Sequence, residues 1–557
     1  MFPKRFSILK NFAFIYLILA FIIRLTLYIF SITNIDFSII NIIKVFCIGL
    51  FFDIGSLSYF LALYVLYLLI VPTKFHGSKL DKIITKFCYG LFLFIIIFSF
   101  LAEISFWQEY QRRFNFIAVD YLLYTYEVIE NIHQTFPIPL LIGLIVVFLI
   151  LIIKITKKRN AYKNSFENLD SFKTKLVPSI IILGILFLFH FNIKNIYAEI
   201  FENVNENELS KSGLYSFFAA YKSNELNFND FYLTNHQDEN YSILKNSITT
   251  ENDSLTTNKK DIKRFTRNKG EELKPNVIFI GLESLSATFL PRFGEKETWA
   301  KAIDSLAKES ILFTNLYATG TRTIRGLEAI SLAIPPTPGR SIVKRENNEN
   351  LFTIGEVFKQ KGYTRTFFNG VDGYFDNMTN YFGFNGFDVI DRKKNIRIQK
   401  KIPTQRIPIT DNQVSYENVW GACDGDMYNI ILNKADKEYK KESPFFYFLM
   451  TNSNHQPYSY PEGFVDNKFK ETREGAVKYA DKTFEDFFKK AKTKPWFKNT
   501  VFVVMSDHCA YSAGRTEINV KNHHIPAYIF NLKGETPQEI KRKTRNKRFH
   551  FITTNLN

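Results

Sequence analysis

Acidic and histidine side chains follow two apolar runs of this 557-residue sequence, and their types suit metal binding. Glu283 comes directly after residues 277–282, and Asp507 and His508 closely follow residues 501–505. Apolar runs without polar alternation are typical of strands buried on both faces of a parallel sheet, whose active site lies at the carboxyl ends of the strands. Carboxylate and imidazole groups that meet there would bind Zn²⁺, Mn²⁺ or Mg²⁺. The sequence therefore predicts a metal site, although an isolated Asp-His pair is more often a turn with a surface imidazole.

A threonine-rich stretch lies between these two groups. Residues 318–326 contain Thr319, Thr321 and Thr323 and lead into a helical pattern at 327–332. The positive end of a helix dipole stabilises an anion, and a metal ion lowers the pKa of a hydroxyl, so a threonine there can attack a phosphoryl or sulfuryl centre. An ordinary N-cap is the alternative interpretation of any such threonine.

The elements that would position these residues begin at Pro275. Continuous apolar runs of strand length alternate with helical patterns from this point. The predicted strands are residues 277–282, 364–368, 445–450 and 501–505, and the predicted helices are residues 301–308, 353–361 and 480–490. This alternation predicts an α/β domain built on a mainly parallel sheet.

The N-terminal third of the chain is far more apolar. Segments of ~20 apolar residues can cross a hydrocarbon core ~30 Å thick. The segments that qualify are residues 12–31, 39–71, 87–107, 137–155 and 177–193. The second is over-long and is interrupted at Asp53 and Gly55, so six shorter spans are the alternative. A cleaved signal peptide explains the first segment less well, because the run is longer than a signal-peptide core and contains Arg24.

Basic loops decide between five and six spans, because lysine and arginine favour the cytoplasmic side of short loops. Basic residues concentrate at 4–10, 73–86 and 154–175. Five spans place all three stretches in the cytoplasm and everything after about residue 195 outside it, whereas six spans would move the third stretch to the other face. The sequence thus predicts a multi-pass protein of a bacterial inner membrane with an extracytoplasmic C-terminal domain. Its net charge of +17 indicates contact with anionic lipid rather than with nucleic acid.

Composition divides the chain into three parts. Residues 1–195 form the predicted transmembrane domain and residues 275–557 the predicted catalytic domain. Between them, residues 196–274 begin with an amphipathic, aromatic stretch typical of a segment along a lipid surface and continue with a polar stretch typical of a solvated linker.

Four motifs occur in the order and approximate spacing of one known family. They are Asn-Val-Ile-Phe-Ile-Gly-Leu-Glu-Ser at 276–284, Gly-Thr-Arg-Thr at 320–323, Ser-Asn-His-Gln-Pro at 453–457 and Ser-Asp-His at 506–508. With the five apolar segments before them, they resemble the lipoteichoic acid synthases, phosphoglycerol transferases of the alkaline phosphatase/sulfatase superfamily. The resemblance covers nearly the whole chain. It implies an N-terminal α-helical membrane domain followed by an α/β alkaline phosphatase/sulfatase-like domain.

The resemblance also implies a role for each motif residue. The residues that match the family's metal site are Glu283, Thr323, Asp507 and His508. Thr323 corresponds to the covalent nucleophile, with Thr321 as its nearby competitor, and His455 to the histidine that contacts the transferred phosphate or protonates the leaving alkoxide. The metal in the family is Mn²⁺ or Mg²⁺ rather than Zn²⁺. The implied reaction takes a phosphoglycerol-type headgroup from a membrane phospholipid and passes it to an envelope glycan or lipid.

Two stretches depart from the family's pattern. Its Trp-x-Arg, which contacts the glycerophosphate, falls at 375–377, where Phe375 keeps the aromatic ring and Asn377 stands in place of the arginine. The basic residues that would bind the phosphate instead are Arg322, Arg325 and Arg365. The chain ends in a basic, weakly apolar stretch after residue 540, so the catalytic domain is expected to be incomplete at its C-terminus.

Other functions fit parts of the same pattern. A phosphoethanolamine transferase would use the same threonine, but such enzymes usually hold several disulfides, and Cys423 with Cys509 offers one at most. A phosphodiesterase or sulfatase-type hydrolase is a further alternative, although the sequence has no Cys-x-Pro-x-Arg-like site for a sulfatase. An inactive membrane scaffold is the alternative of a different class, favoured if an incomplete catalytic domain does not fold.

Overall fold

The structure, a computed structural model, describes residues 3–123, 129, 138–167, 171–222, 235–267, 272–293, 299–334, 339–392, 401–511 and 519–541. Two compact units make up the chain, one from Met1–Thr125 with Phe136–Asn224 and one mainly from Glu225–Ser512 with Val520–Asn557. Each unit has a hydrophobic core of its own. Apart from residue 541, the basic C-terminal stretch lies outside the described residues.

The first unit is helical. Its described helices are α1 (Ser7–Phe30), α2 (Ile39–Ile70), α3 (Lys79–Tyr110), α4 (Phe116–Leu123), α5 (Ile138–Lys158), α6 (Ala161–Phe166), α7 (Phe172–Phe191), α8 (Val204–Ser210) and α9 (Gly213–Lys222). Five of them, α1, α2, α3, α5 and α7, are long and apolar enough to cross a membrane. The five apolar N-terminal helices predicted from the sequence are therefore confirmed.

Helix α2 continues through the polar interruption that had suggested a sixth span. Asp53 is neutralised inside the bundle by Arg24 of α1, whose Nη2 lies 2.6 Å from the carboxylate. Gly55 leaves room for the ring of Phe189 on α7, because a Cβ at that position would overlap it. The polar and small residues of α2 thus contact neighbouring helices, so the helix is one long element.

The segment after α7 packs into the same unit. Helix α8 buries nearly all of its side chains although most are polar. Arg113 donates to the carbonyl oxygen of Glu208 at 3.2 Å and forms an ion pair with Glu103 of α3. Lys211 forms ion pairs with Glu208 and Glu199. Buried charge is stabilised by such pairing, which explains how a polar segment becomes part of a helical core.

The polar stretch predicted to be a solvated linker carries local secondary structure. It contains helix α10 (Gln237–Ile248) and the antiparallel pair β1 (Asp253–Leu255) and β2 (Arg264–Thr266). None of the residues of α10 is buried. The stretch is therefore exposed, as its composition predicts, but it is not extended coil throughout.

A nine-stranded sheet forms the centre of the second unit. Its strands, in spatial order, are β13 (Gln538–Ile540), β4 (Ser310–Phe313), β12 (Ala527–Phe530), β11 (Thr500–Ser506), β3 (Asn276–Leu282), β10 (Phe445–Met450), β5 (Thr364–Asn369), β6 (Asp388–Asp391) and β7 (Arg406–Pro408). Within the described residues, β12 alone runs antiparallel to its neighbours. A short pair, β8 (Glu417–Asn418) and β9 (Gly421–Ala422), lies outside it. The predicted α/β class with a mainly parallel sheet is confirmed.

Both faces of this sheet are covered. Ile278 and Ile280 of β3 belong to one hydrophobic core, and Val277 and Phe279 belong to the core on the opposite face. The helices that cover the sheet are α11 (Lys301–Ser305), α12 (Thr323–Leu332), α13 (Ile354–Gln360), α14 (Met378–Phe384), α15 (Asp424–Tyr439) and α16 (Arg473–Ala491). Burial on both faces explains why the central strands are continuous apolar runs.

Candidate active site

The two strand ends that carry the acidic and histidine residues are neighbours in the sheet. Strands β3 and β11 run parallel, with Leu282 opposite Ser506. The next residues along each strand, Glu283 and then Asp507 and His508, therefore emerge at the same edge. All three side chains are buried, and each contributes a potential ligand atom within 4.8 Å of the others.

The donor atoms of this cluster fit a divalent cation. Oδ2 of Asp507 is buried and has no hydrogen-bond partner among the described residues. Nδ1 of His508 lies 2.8 Å from the carbonyl oxygen of Cys509, which leaves Nε2 facing the carboxylates, 3.4 Å from Asp507 Oδ2 and 3.6 Å from Glu283 Oε1. Hydrogen bonding of one ring nitrogen to a carbonyl is the usual way in which a ligating histidine is oriented. Two carboxylates and one imidazole are ligands that Mn²⁺, Mg²⁺ and Zn²⁺ all accept.

Electrostatics at the cluster also favour a bound cation. Burial and the neighbouring charge of Asp507 raise the pKa of Glu283 above its ordinary value. Buried like charges disfavour ionisation, and a cation between them removes that cost. The cluster therefore has the geometry and the excess negative charge of a metal site.

Thr323 joins this cluster from a separate element. It is the first residue of α12, and its Oγ1 donates a hydrogen bond to Oε2 of Glu283 at 3.1 Å. Thr321, the competing threonine, is exposed. Arg322 occupies the N-cap position between them in an extended conformation. Of the two candidate nucleophiles, Thr323 is the one held against the carboxylate cluster at a helix N-terminus.

A glycine allows α12 to approach the cluster so closely. A Cβ at Gly326 would lie 2.7 Å from the backbone oxygen of Asp507 and 2.8 Å from its Cβ. On the other side of the helix, buried Glu328 accepts hydrogen bonds from Ser341 and the backbone of Ile342, both at 2.7 Å. The glycine and the glutamate together fix the position of Thr323.

The loop after β10 brings His455 to the same edge of the sheet. Asn454 donates to the carbonyl oxygen of Glu283 at 3.0 Å, and the backbone N–H of Glu283 donates to Thr451 Oγ1 at 2.9 Å. The ring of Trp420 packs against the imidazole, with 3.9 Å between ring centroids. Burial lowers the pKa of His455, although the charge of Glu283 opposes this shift.

Asp424 anchors the His455 loop. Its Oδ1 accepts hydrogen bonds from the backbone N–H groups of Asn452 and Ser453 at 2.9 and 3.1 Å, and the backbone N–H of Asp424 donates to Ser453 Oγ at 2.9 Å. Burial raises its pKa to about 6. From sequence, the Asp-Gly-Asp at 424–426 is more typical of a turn than of a group that binds metal or glycerol hydroxyls. It is in fact the first turn of α15, and no sequence signal reveals its contact with the loop 28 residues away.

Comparison with known proteins places this chain in a family. The sulfatase family model matches residues 275–555, which is just over half of the chain. This chain belongs to the sulfatase family. A crystal structure of an alkaline phosphatase superfamily protein from Vibrio parahaemolyticus is 32% identical, with a TM-score of 0.49, and the match covers 57% of this chain and 74% of that one.

Two further comparisons extend the similarity. Phosphoglycerol transferase I of Citrobacter koseri is 25% identical over 290 residues, covering 48% of this chain and 36% of that relative. The match thus spans about a third of the curated relative's length. The lipooligosaccharide phosphoethanolamine transferase A of Neisseria meningitidis shares the fold along 98% of this chain and 92% of its own, at a TM-score of 0.52 and 16% identity. The superfamily and the two-part architecture expected from the motifs are confirmed.

The segment that departs from the transferase pattern has a structural role in this sulfatase family member. The ring of Phe375 contacts Trp420 edge-on, with centroids 5.1 Å apart, so it lies one ring away from His455. The side chain of Asn377 donates to the carbonyl oxygen of Val343 at 2.8 Å and accepts from Asn380 at 2.9 Å. Phe375 therefore reaches the aromatic wall beside His455, whereas the amide of Asn377 is occupied. Substrate binding by either residue stays a prediction.

Two of the basic residues predicted to bind phosphate in place of the missing arginine are poorly placed to do so: Arg325 is paired with another side chain, and Arg365 lies far from the cluster. Arg325 forms an ion pair with Glu328 at 2.7 Å and donates to the carbonyl oxygen of Gly339. Arg365 is the second residue of β5, which ends at Asn369, so it lies near the opposite end of the strand from the site. Neither is placed to bind a phosphate at the cluster.

The cysteines of the second unit form no disulfide. Cys423 and Cys509 are both free and buried. Burial raises the pKa of Cys423 to about 11 and that of Cys509 to about 12. Neither thiol is therefore an activated nucleophile near neutral pH.

Proposed function

We propose that this protein is a membrane-anchored, metal-dependent transferase that moves a phosphoglycerol-type headgroup from a phospholipid to a cell-envelope acceptor. The observation that carries the proposal is the hydrogen bond of 3.1 Å from Thr323 Oγ1 to Glu283 within the Glu283–Asp507–His508 cluster. It supports a threonine nucleophile held in a metal site, as in the covalent chemistry of group transfer.

In the first half-reaction, the oxygen of Thr323 forms a bond to phosphorus and the bond from phosphorus to the diacylglycerol oxygen breaks. The threonine gives up its proton, and the diacylglycerol oxygen gains one. A bound Mn²⁺ or Mg²⁺ would supply positive charge that lowers the pKa of the hydroxyl and attracts the phosphate oxygens. The N-terminal dipole of α12 acts in the same direction. An acceptor hydroxyl then attacks the phosphorus and releases Thr323.

His455 is the candidate for proton transfer on the substrate side. Its Nδ1 lies 3.1 Å from the carbonyl oxygen of Gln456, so Nε2 is the nitrogen available to a substrate. The lowered pKa keeps the imidazole mainly neutral near pH 7, so Nε2 can accept the proton of the acceptor hydroxyl. In the first half-reaction the imidazolium form, with a proton taken up from solvent on Nε2, would deliver that proton to the departing diacylglycerol oxygen, and the acceptor hydroxyl restores it in the second.

The location follows from the helical unit and the loop charges. The five membrane-length helices support an integral membrane protein. The basic loops support placement of the catalytic unit outside the cytoplasm, in a bacterial inner membrane. The proposed donor is therefore a phospholipid of the same membrane, and the acceptor is a glycan or lipid of the envelope.

The decisive experiment incubates the purified full-length protein with headgroup-labelled phosphatidylglycerol or phosphatidylethanolamine, with Mn²⁺ or with a chelator. We expect metal-dependent release of diacylglycerol from phosphatidylglycerol. Thr323→Ala should reduce release by more than about 10³-fold, because removal of a nucleophile eliminates the covalent route. The matched control is Thr321→Ala, two residues away and exposed, which should retain most of the activity.

Each other outcome changes the assignment. Release that survives Thr323→Ala would exclude this threonine as the nucleophile. Release from phosphatidylethanolamine alone would identify a phosphoethanolamine transferase. Transfer of the headgroup to water rather than to an added glycan would identify a hydrolase, and no release from either lipid would contradict the proposed donor class.

A further inference from the structure

A phosphate-binding site needs a positive side chain on the substrate side of the metal cluster. The family's arginine is replaced by Asn377, and its neighbour Asp376 forms an ion pair of 2.7 Å with Lys344. Arg325 is paired with Glu328. Lys344 and Arg325 are therefore committed to other contacts.

Arg473 lies elsewhere at the same site. It is the first residue of α16, and Thr472 caps this helix by accepting from the N–H of Gly475 at 3.1 Å. Its guanidinium carbon lies 4.8 Å from the ring centroid of Tyr458 and 5.2 Å from that of Tyr511. The side chain is thus held between two aromatic rings.

The two rings belong to the two loops that carry the proposed catalytic groups. Tyr458 is three residues after His455 and donates its backbone N–H to the carbonyl oxygen of His455 at 2.8 Å. Tyr511 is three residues after His508. An arginine between these rings therefore lies where the His455 loop and the metal-ligand loop come together.

The polar edge of Arg473 is uncommitted. The side chain is half-buried, and it makes no hydrogen bond or ion pair with any residue that the structure describes. Aromatic rings stabilise a guanidinium by contact with its charge and its flat face, and they leave the N–H donors at its edge available. Those donors match the spacing of phosphate oxygens.

The charge of Arg473 also reaches the proposed proton-transfer group. Burial is the main cause of the lowered pKa of His455, and the charges of Arg473 and His508 act in the same direction. Coulombic effects of this kind fall off with distance. An anion bound to Arg473 would therefore be within electrostatic reach of His455.

We propose that Arg473, held between Tyr458 and Tyr511, binds the phosphate of a phosphate ester at this site and takes the place of the arginine that the family carries near residue 377. The ligand class is a phosphate ester, either a phospholipid headgroup or a soluble glycerol phosphate. This inference rests on the proposed function of the same site. The inference goes beyond the proposed function because it assigns substrate recognition to Arg473, a residue outside the four motifs.

A binding experiment tests this assignment without turnover. Full-length Thr323→Ala protein, loaded with Mn²⁺, is titrated with sn-glycerol 1-phosphate by calorimetry, alone and with a second substitution at Arg473. Arg473→Gln should raise the Kd at least about 10-fold, since a charge-assisted hydrogen bond contributes about 1.5–3 kcal/mol. Arg473→Lys should lose part of the affinity, because it keeps the charge without the bidentate edge.

Lys482→Gln is the matched control. Lys482 lies on the same helix and is also half-buried, but it pairs with Glu485 and Asp486. We expect this variant to bind glycerol phosphate as the parent does. Mn²⁺ affinity in the Arg473 and Lys482 variants should equal that of the Thr323→Ala parent, because Arg473 contacts none of the described metal-ligand side chains.

Kinetics on phosphatidylglycerol bilayers separate the lipid source from the soluble one. These measurements use the protein that retains Thr323. If the lipid headgroup is the ligand, Arg473→Gln should raise the KM for the lipid. If the soluble ester is the ligand, the same variant should keep the KM for the lipid and bind glycerol phosphate more weakly. Either result supports the proposal.

Two results would overturn it. The first is an unchanged Kd for glycerol phosphate in Arg473→Gln, which would leave Arg473 with a structural role only. The second is a parent protein that binds neither glycerol phosphate nor inorganic phosphate. Because diacylglycerol release by the Thr323-containing protein is measured separately, these failures are distinguishable from failure of the proposed transferase activity.

Discussion

Two buried carboxylates and one imidazole meet at the ends of β3 and β11, and Oδ2 of Asp507 has no hydrogen-bond partner among the described residues. Separated by a few ångströms, ionised Glu283 and Asp507 repel each other in a medium of low polarity. A divalent cation at this position would remove the repulsion and complete the bonding of Asp507. The native state should therefore be more stable with metal than without it.

A thermal-shift measurement tests this expectation. Mn²⁺ at a large excess over its Kd should raise the Tm of the purified protein, because binding to the native state alone contributes about 2.7 kcal/mol at 100 times the Kd. Asp507→Asn should reduce this rise strongly. Asp486→Asn, at a half-buried acidic residue of α16 that pairs with Lys482, should leave it intact. An equal rise in all three proteins would contradict a site at Asp507.

The site residues that could be predicted from sequence are those that directly follow a recognisable strand. Glu283, Asp507 and His508 each follow a strand that is recognisable as an apolar run, so their convergence at one edge could be predicted. Arg473 and Asp424 could not be found in this way, because they contact the site from helix N-termini across loops. Their sequence neighbourhoods resemble ordinary helix starts.

At the scale of elements, α12 carries Thr323 and its distance from β11 depends on Gly326. Gly326→Ala places a methyl group 2.7 Å from the backbone oxygen of Asp507, where backbone rather than a flexible side chain must shift. We expect α12 to move away from the cluster, with a loss of activity of at least about 10²-fold, since an ångström of misplacement costs that much. Mn²⁺-dependent diacylglycerol release measures the effect.

Gly90→Ala is the control for this substitution. Gly90 is also helical, and a Cβ there would meet no atom within 4 Å. Its activity should equal that of the parent. Wild-type activity in Gly326→Ala would show that the approach of α12 to Asp507 is not required for catalysis.

The α15 helix affects the His455 loop through Asp424, and this contact predicts a pH dependence of stability. Burial raises the pKa of Asp424 from 3.8 to about 6, so the native state holds a proton that the unfolded state has lost between these two values. The free energy of unfolding should therefore fall as pH rises from 4 to 6 and then level off. The contribution is about 3 kcal/mol, at about 1.4 kcal/mol per pH unit.

Asp424→Asn removes the titrating carboxyl group, but the amide oxygen of the asparagine can still accept hydrogen bonds from the N–H groups of Asn452 and Ser453. The difference in Tm between the parent and this variant, measured from pH 4 to pH 7, should shift in favour of the variant as pH rises. A difference that is constant with pH, or that shifts in favour of the parent, would contradict the raised pKa.

The predictability of each element follows from its burial. Strands β3, β5, β10 and β11 are central, so their apolar runs are continuous and were predicted within one residue at each end. Strand β13, Gln-Glu-Ile at the sheet edge, is mostly exposed and carries no such signal. Helix α16 begins at Arg473, earlier than its apolar pattern, because Thr472 caps it there.

For the whole molecule, the number of membrane helices and the loop charges could both be read from sequence, but the packing of α8 could not. Its polarity is typical of a solvent-exposed segment. Its burial is made possible by ion pairs of Lys211 with Glu199 and Glu208, and by the backbone N–H of Arg113, which donates to Glu208 from 95 residues away in the chain. Long-range pairing leaves no local pattern.

The orientation of the units is testable by cysteine labelling. In a background without Cys47 and Cys88, Lys482→Cys should react with a membrane-impermeant maleimide in cells whose outer membrane, if present, has been permeabilised. Lys79→Cys, in a basic loop assigned to the cytoplasm, should react only after lysis. The buried Cys423 and Cys509 should contribute little labelling. The reverse pattern would place the catalytic unit inside the cell.

The central claim is that Thr323 carries the headgroup during transfer. It is tested most directly by mass spectrometry of the full-length protein after reaction with phosphatidylglycerol and Mn²⁺, without an acceptor. The account predicts one phosphoglycerol group on the peptide that contains Thr323, absent from the Thr323→Ala protein and removed when acceptor is added. Diacylglycerol release with the group on another residue, or with no group on the protein at all, would contradict it.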